Sequence, residues 1–424
     1  MADVSSSVPP SPPRRRDGAL AVVGLWVATR ALSMVVLATV ERLVVGDVFY
    51  YWRKISALGE AGLPGTLREY PTPVVWFLSL PQVAGGSRTG YLVGFVVLML
   101  ALDAVLTYAL WRAAGRRRDR ALDFWILYVV LVGPLCYTRF DMVPAVLAGG
   151  ALLAARRRPW LTGALTGLGA AIKLWPALLA GAFAVRRRGR GAMLGAFVGV
   201  GFGLAALSLV TGGVSRLFSP LTWQSGRGLQ IESVWATPLM VARAVDPGTW
   251  EVRYSAFQAY EVFGPGVPAL LVVSTAATVV GLLVTAALFV RGFRSPEVTA
   301  VGLGLLVLAT IAITTITNKT LSPQYLLWLG GPAAVLLLSR GSQGPRWHRS
   351  IARLAVGLLV LALLTQLTYP LLYNGILGRS SRGFMVASTV VTSLRNLTLL
   401  AITVALCRQA WLALGPSRPR VDAA

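Results

Sequence analysis

The feature that most constrains this fold is the alternation of long apolar segments with clusters of arginine. Of the 424 residues, 55% are hydrophobic and only 13% are charged, and the mean hydropathy is +0.67. Because a soluble core cannot bury this much apolar surface, we predict an all-α, polytopic membrane protein. The arginine clusters lie at 14–16, 116–120, 156–158, 186–190, 291–294, 346–353 and 418–420.

The positive-inside rule assigns these clusters to the cytoplasm and so orients the segments between them. It predicts about 12 transmembrane helices, with both termini cytoplasmic. The excess of arginine over lysine and the abundance of Ala, Gly and Val indicate a GC-rich bacterial genome and hence a bacterial plasma membrane. The predicted spans are 18–45, 89–112, 122–137, 142–156, 160–172, 174–185, 191–212, 265–291, 297–317, 325–339, 353–372 and 384–407. The predicted domains are a disordered tail at 1–17, one transmembrane domain at 18–408 and a second tail at 409–424.

Two long external loops that contain interfacial helices are predicted, at 46–88 and 213–264. The apolar stretch 71–86 is interpreted as interfacial or re-entrant, since a full crossing would carry the cluster at 116–120 to the outside. The spans between 122 and 185 are shorter than the roughly 20 residues that an upright helix needs. We therefore expect their hairpin tips, "YTRFDMVP" and "IKLWP", to lie below the outer surface.

Small residues at four-residue spacing predict close helix packing at Gly163/Gly167 and at Gly195/Gly199/Gly203. A net charge of +24 would indicate nucleic acid in a soluble protein, but here it follows from topology, so no nucleic-acid partner is expected. The cytoplasmic loops contain no Gly-rich phosphate cradle, which argues against a nucleotide site.

Other titratable residues have structural interpretations. Asp103, inside a predicted span, is expected to pair with Arg30. His348 lies in a cytoplasmic arginine cluster, so an external histidine base is excluded. Cys136 and Cys407 lie in or beside different apolar segments and are assigned no disulfide, metal or nucleophilic role.

The polar residues that anchoring does not require are external. They lie in "GDVFYYWRK", "YTRFDMVP", "IKLWP", "SGRGLQIES" and "TNKTLSPQY". The chain's lysines, Lys54, Lys173 and Lys319, all lie in these stretches, and Arg139 and Arg227 add guanidinium groups. Because both kinds of cation bind phosphate, we predict these five as ligands of a lipid-linked phosphate.

An enzyme on the outer face has no nucleotide sugars, so a lipid-phosphate-linked sugar is the natural donor. Its transfer needs a carboxylate that accepts a proton from the acceptor hydroxyl, and Asp47, just past the first helix, is the predicted base. The predicted sugar and acceptor ligands are Tyr50, Trp52, Tyr70, Asp141, Gln230, Glu232 and Gln324. We predict no metal and no cofactor.

Structural alternatives stay open for several of these residues. The aromatic side chains are equally typical of an interfacial belt. Asp47 could be a helix cap or a surface charge. Arg139 and Asp141, two positions apart, could pair with each other, and Lys173 could extend its ammonium group to the interface from a short helix.

Together these motifs resemble the bacterial integral-membrane glycosyltransferases of family 87, which include polyprenyl-phosphate-mannose-dependent α-mannosyltransferases. The resemblance rests on "GDVFYYW", "YPTP", "RFDMVPA", "KLWP", "RGLQIES" and "NKTLSPQYLLW", in this order along the chain. It implies the GT-C fold, a polyprenyl-phosphate sugar donor without a nucleotide, and a catalytic aspartate in the first external loop, which corresponds to Asp47. The chain departs from the family in lacking an external histidine and in having Thr72 where a second proline is common.

The expected function is therefore transfer of a sugar, mannose in the first instance, to a lipid or glycan hydroxyl at the extracytoplasmic face, with inversion. The expected partners are the donor, the acceptor and membrane lipids, and the protein is expected to be a monomer. Two alternatives remain: an arabinofuranosyltransferase of the same mechanism, and a multi-span lipid or solute transporter.

Overall fold

The computed structural model describes residues 15–339 and 345–415, and the predicted tail segments 1–14 and 416–424 lie outside them. Over the described residues the chain is a helical bundle with a short β-hairpin, which confirms the predicted all-α class. The β-hairpin consists of β1 (Glu251–Tyr254) and β2 (Tyr260–Phe263), paired antiparallel.

The helices as far as the second hairpin tip are α1 (Arg15–Thr39), α2 (Gly46–Ser56), α3 (Leu58–Gly65), α4 (Thr72–Ser79), α5 (Arg88–Ala113), α6 (Arg120–Val132), α7 (Leu135–Thr138), α8 (Met142–Ala154), α9 (Pro159–Ile172) and α10 (Ala177–Ala184). The remaining helices are α11 (Arg190–Gly226), α12 (Thr237–Val245), α13 (Val267–Arg294), α14 (Ala300–Thr317), α15 (Leu327–Leu338), α16 (Pro345–Gln366), α17 (Tyr373–Ile376) and α18 (Arg382–Ala413). Short 3₁₀ turns occupy Arg42–Val45, Leu80–Ala84 and Pro323–Leu326, and a π turn occupies Leu367–Leu371.

Seven of the described helices are long and apolar enough to cross a membrane: α1, α5, α11, α13, α14, α16 and α18. The chain is therefore a multi-pass membrane protein, although the predicted count of twelve spans is not confirmed. In the most apolar window of α14, 83% of the residues are buried, against 11% in α11. Helix α14 is thus at the centre of the bundle, and α11 at its periphery.

The other apolar helices are short, as the sequence predicts. Helices α8 and α9 have 13 and 14 residues, and α10 has 8, so at 1.5 Å per residue none exceeds about 21 Å. Their bounds agree with the predicted spans 142–156, 160–172 and 174–185 to within three residues. The backbone is extended at both hairpin tips, with φ/ψ of −132°/139° at Arg139 and −140°/142° at Lys173.

Side-chain caps fix where several long helices begin. The Ser87 hydroxyl accepts a hydrogen bond from the Gly90 N–H at the start of α5, and Thr299 caps α14 in the same way. Asp119 caps α6, and Ser381 caps α18. Because a cap satisfies one of the free N–H groups of the first turn, each is worth about 1 kcal/mol.

The two glycine motifs have different surroundings. A Cβ atom at Gly163 would collide with the Met193 carbonyl of α11, and one at Gly167 would lie 2.9 Å from the Phe197 carbonyl. This confirms the predicted close packing of α9 on α11. At Gly195, Gly199 and Gly203, an added Cβ would have no atom within 4 Å, so the packing predicted for that motif is wrong for the described residues.

A buried polar network ties α1 to α5 and α6, and it confirms the predicted pairing of Asp103 with Arg30. Arg30 Nε lies 2.7 Å from Asp103 Oδ2, and the carboxylate also accepts hydrogen bonds from Trp26, Trp125 and Tyr137. A charge pair this deeply buried is stable only when its remaining oxygen lone pairs are also used, as they are here.

Three predicted boundaries need correction. Helix α1 ends at Thr39 and not at Val45, because a 3₁₀ turn intervenes. Helix α11 continues to Gly226, beyond the end predicted for its span at 212, after a kink at Gly213, where φ is 79°. The predicted tail from 409 begins later, because α18 continues to Ala413.

Candidate active site

The irregular segments that follow the short helices surround a cavity of about 1170 Å³. Helix α2, both hairpin tips, the segment 224–232, the β-hairpin and the turn after α14 all contribute to its wall. All five polar stretches selected from the sequence therefore reach the same cavity. The predicted ligands that line it are Asp47, Tyr50, Tyr70, Arg139, Lys173, Arg227, Gln230, Glu232, Lys319 and Gln324.

Three predicted site residues do not line the cavity. Lys54 lies beside the Tyr50 ring, with 5.8 Å between its Nζ atom and the ring centroid. The Trp52 indole donates a hydrogen bond to the Gly86 carbonyl. Asp141 is buried below the wall. Arg53, which the sequence argument passed over, lines the cavity instead.

Asp47 is held by the first hairpin tip. Arg139 Nε lies 2.7 Å from Asp47 Oδ2, and the side chains are 7% and 42% exposed respectively. The other guanidinium nitrogens of Arg139 donate to the carbonyls of Val44 and Thr138 and to the Tyr369 hydroxyl. Arg139 thus holds Asp47 and the neighbouring backbone, and the structural alternative in which it pairs with Asp141 does not apply.

Lys173, at the second hairpin tip, is bound in an aromatic cage. Its Nζ atom donates to Asp141 Oδ1 over 2.6 Å, and the same oxygen accepts the Trp328 indole N–H over 2.8 Å. The ammonium group lies 4.6 Å from the ring centroid of Tyr325 and 4.9 Å from that of Trp328, and these two rings are stacked. Asp141 is therefore the counter-ion of Lys173, and only the outer side of the ammonium group faces the cavity.

Among the predicted cations that line the cavity, Arg227 and Lys319 have the least internal pairing. Lys319 Nζ donates one hydrogen bond, to the Ser225 carbonyl. Arg227 Nε is buried without a hydrogen-bond partner. Burial lowers the pKa of the Lys319 ammonium, and the nearby Arg227 lowers it further, whereas Glu261 raises it. Two cations that repel each other at the same wall form a site for an anion.

Glu232 is fixed to the membrane bundle by α18. Arg395 Nη1 of α18 lies 2.8 Å from Glu232 Oε2, and both side chains are buried. Asn396 adds hydrogen bonds to the carbonyls of Glu232 and Ser233. Burial raises the pKa of the Glu232 carboxyl, although Arg395 acts in the opposite direction. Arg395 was not predicted as a site residue. An arginine inside a long apolar segment could have indicated it, because such residues are usually paired.

Another buried arginine, Arg216, supports the part of the cavity wall that contains Tyr70. Arg216, in the part of α11 beyond the kink, donates to the main-chain carbonyls of Leu63, Thr66, Leu67 and Tyr70. Leu63 lies near the end of α3, and the other three carbonyls belong to the irregular segment between α3 and α4. Arg216 therefore holds in place the backbone that brings Tyr70 to the cavity.

The charges that line the cavity are unbalanced. Six cationic side chains line it against three carboxylates, those of Asp47, Glu69 and Glu232. The cationic residues are Arg53, Arg139, Lys173, Arg227, Lys319 and Arg379. This excess of three positive charges favours an anionic ligand.

One side of the cavity is apolar and extends along the helices. Val279 and Leu282 of α13, Ile313 of α14, Leu178 of α10 and Leu221 of α11 line it. Over the described residues, no three His, Cys, Asp or Glu side chains are grouped as ligands for a metal ion. The arrangement can therefore hold an anionic head group beside a long apolar chain, next to a carboxylate that could accept a proton.

Part of the chain matches the model of a known family. Residues 69–264 match the model of glycosyltransferase family 87. No curated protein matches the chain. The crystal structure of ArnT from Cupriavidus metallidurans bound to undecaprenyl phosphate is 14% identical over 93% of this chain and 78% of that chain, with a TM-score of 0.46. Residues 69–264, just under half of the chain, are therefore similar to glycosyltransferase family 87, the family that the motifs of the chain resemble.

Proposed function

We propose that this protein is a glycosyltransferase that moves a sugar, mannose in the first instance, from a polyprenyl-phosphate donor to a hydroxyl group of a lipid or glycolipid. The observation that carries the proposal is the position of Asp47. Its partly exposed carboxylate is oriented by Arg139 and lines a cavity that combines excess positive charge with an apolar side. These are the properties that a phosphate with a long hydrocarbon chain requires.

In the proposed reaction, Asp47 accepts the proton of the acceptor hydroxyl as its oxygen forms a bond to the anomeric carbon of the sugar. The bond between that carbon and the phosphate oxygen breaks at the same time, and polyprenyl phosphate leaves with the electron pair. Since the acceptor attacks from the side opposite the phosphate, the configuration inverts. Arg227, Lys319 and Arg53, which line the cavity, would stabilise the negative charge of the departing phosphate.

The extracytoplasmic location of the site is part of the proposal. Helix α8 leads from the Arg139 tip to the arginine cluster at 156–158, and α10 leads from the Lys173 tip to the cluster at 186–190. The cavity and these clusters are therefore at opposite ends of the short helices. The positive-inside rule assigns the clusters to the cytoplasm, which supports an outward-facing cavity and cytoplasmic termini.

Glu232, Gln230 and Gln324 are proposed to bind the hydroxyl groups of the sugar or of the acceptor. The Gln230 amide donates to the Ser322 hydroxyl over 3.2 Å, and Gln230 Oε1 is buried without a donor. A buried acceptor of this kind favours a ligand that brings a hydroxyl group. Arabinofuranose would satisfy the same requirement, whereas the family match disfavours the alternative of a transporter.

The test is transfer by the purified protein in liposomes that contain a membrane lipid extract as the source of acceptor. Radiolabelled polyprenyl-phosphate mannose and polyprenyl-phosphate arabinofuranose are supplied separately. We expect label to appear in a lipid product with mannose, and Asp47→Asn to abolish it. Glu60→Gln is the matched control, because Glu60 is an exposed carboxylate on α3 outside the cavity.

Transfer of arabinofuranose alone would replace mannose and leave the mechanism intact. Undiminished transfer by a folded Asp47→Asn protein would eliminate Asp47 as the base. If neither donor gave a product with the wild-type protein, the proposed donor class would be wrong.

A further inference from the structure

A second groove, of about 740 Å³, lies between α16 and α18 and shares no residue with the large cavity. Its residues on α16 are confined to the beginning of that helix, at 347–354, whereas the large cavity is lined by Tyr369 and Pro370 beyond its end. At 1.5 Å per residue, the sixteen residues from Arg353 to Tyr369 correspond to roughly 24 Å. The groove is therefore at the opposite end of the bundle from the candidate active site.

Three arginines border this groove without any carboxylate to balance them. Arg349, Arg353 and Arg408 are all exposed. None of the three guanidinium groups forms a hydrogen bond or an ion pair with another residue of the described segments 15–339 and 345–415. The sequence from 345 to 415 contains no Asp or Glu. Arg349 and Arg353 are four residues apart and so project from the same face of α16.

The floor of the groove is apolar. Leu354 and Ile402 are 6% and 7% exposed, and Ala401 and Ala405, four residues apart on α18, leave space between the helices. One polar atom on this floor has no donor: Gln409 Oε1 is buried and accepts no hydrogen bond from a described residue. The groove thus combines a cationic rim, an apolar channel and one acceptor that lacks a hydroxyl or amine partner.

We propose that this groove binds an anionic phospholipid of the surrounding leaflet. Its phosphate would lie between Arg353 of α16 and Arg408 of α18, with Arg349 adding charge at the rim. One acyl chain would follow the channel between Leu354 and Ile402. A head group that carries a hydroxyl, such as glycerol, could donate to Gln409 Oε1. The lipid would connect two helices of like charge and so stabilise their packing.

The charge of the lipid head group is what favours this occupant over a neutral lipid. Each arginine near a membrane surface favours an anionic lipid by about 1 kcal/mol. Removal of two arginines should therefore weaken binding about 30-fold, at tenfold per 1.4 kcal/mol. A phosphatidylcholine with identical acyl chains would gain no such preference, since its head group has no net charge.

The test compares the full-length protein with two double variants in detergent, by native mass spectrometry and thermal unfolding. Arg353→Gln with Arg408→Gln removes the two arginines of the groove. The control, Arg117→Gln with Arg157→Gln, removes two exposed arginines from other arginine clusters and causes the same change of charge. Phosphatidylglycerol, phosphatidylcholine with the same chains, and glycerol phosphate without chains are titrated separately.

We expect phosphatidylglycerol to bind to the wild-type protein and the control about 30-fold more tightly than to the groove variant, and to raise their unfolding temperature. Equal binding of phosphatidylcholine would overturn the role of the charge, and equal binding of glycerol phosphate would overturn the role of the apolar channel. Equal loss in the control would mean that the effect is non-specific. If binding required deletion of 416–424, this segment and not a lipid would be the occupant, and the proposal would be wrong.

Discussion

The Arg139 guanidinium lies 2.7 Å from the Asp47 carboxylate, and its remaining nitrogens are bound to Val44, Thr138 and Tyr369. A single arginine therefore connects the candidate base to a hairpin tip and to the segment after α16. Its own position cannot change without moving Asp47. We therefore propose that Arg139 positions Asp47 and that other cations bind the phosphate.

A double-mutant cycle separates these roles. Asp47→Asn leaves the buried Arg139 without its counter-ion, so we expect a loss of about 1–3 kcal/mol in the free energy of unfolding as well as the loss of transfer. Adding Arg139→Gln should recover part of the stability, because no unpaired charge remains. Transfer should stay absent, as measured with the radiolabelled donor. Recovery of transfer in the double variant would contradict the assignment of Asp47 as the base.

Two lysines near the cavity should differ in their effect on donor binding. Lys319→Gln removes a cation from the cavity wall, and we expect the KM for the donor to rise about 10-fold, which corresponds to about 1.4 kcal/mol. Lys54→Gln removes the same charge from a side chain outside the lining and should change KM less than twofold. Steady-state kinetics at varied donor concentration measure both. A larger rise in KM for Lys54→Gln than for Lys319→Gln would support Lys54 as the phosphate ligand.

Substitution of Asp103 should lower the free energy of unfolding without a specific effect on sugar transfer. Asp103→Asn removes the counter-ion of Arg30 in a fully buried network, so we expect a loss of about 3–5 kcal/mol. Asp123→Asn breaks an exposed ion pair with Arg118 and should cost less than 1 kcal/mol. Unfolding in detergent, followed by tryptophan fluorescence, compares them. Similar losses in both variants would contradict a special role for the buried network.

Glu41, between α1 and the first 3₁₀ turn, should make stability depend on pH. Burial raises the pKa of its carboxyl from 4.5 to about 7, and a hydrogen bond from Gln366 acts in the opposite direction. The folded state thus holds the proton more tightly than the unfolded state, so this contribution is complete below pH 4.5 and is lost as pH rises to 7.

Glu41→Gln removes that titration. Between pH 5 and pH 8 we expect the wild-type protein to lose roughly 1–3 kcal/mol relative to the variant. Unfolding temperatures of both proteins in a series of buffers of equal ionic strength provide the measurement. Parallel pH profiles would mean that Glu41 titrates normally.

The two glycine motifs predict opposite outcomes for the same substitution. Gly163→Ala forces a Cβ atom against the Met193 carbonyl, and we expect a loss of about 1–3 kcal/mol. Gly199→Ala adds a methyl group in open space and replaces a poor helix former, so it should be neutral or stabilising by up to about 1 kcal/mol. Thermal unfolding distinguishes the two. A loss in Gly199→Ala would indicate a partner at the exposed face of α11.

The parts of the fold that follow from hydropathy and charge could be predicted from the sequence. Apolar segments between arginine clusters predicted the short helices α8, α9 and α10 to within three residues, and most of the polar residues left over line one cavity. Asp103 and Arg30 could be paired because a buried carboxylate in a membrane segment needs a cation.

The pairings at the hairpin tips could not be predicted, because they depend on contacts between distant segments. Sequence proximity favoured Arg139 with Asp141, whereas the structure pairs Arg139 with Asp47 and Lys173 with Asp141. Lys54 was predicted as a cavity residue in place of Arg53 for a local reason. Interfacial helices were predicted in this external loop without bounds, and only the position of α2 determines which side chains face the cavity.

Arg216 connects a helix exposed at the periphery of the bundle to the wall of the cavity. It lies beyond the Gly213 kink of α11 and binds the carbonyls of the segment that ends at Tyr70. A bilayer that is thinner or thicker than α11 requires must tilt or bend this helix, and Tyr70 would move with it. Membrane thickness would thereby alter the width of the cavity. The turnover of the wild-type protein should therefore differ between vesicles of different acyl-chain lengths, and the turnover of Arg216→Gln should differ less.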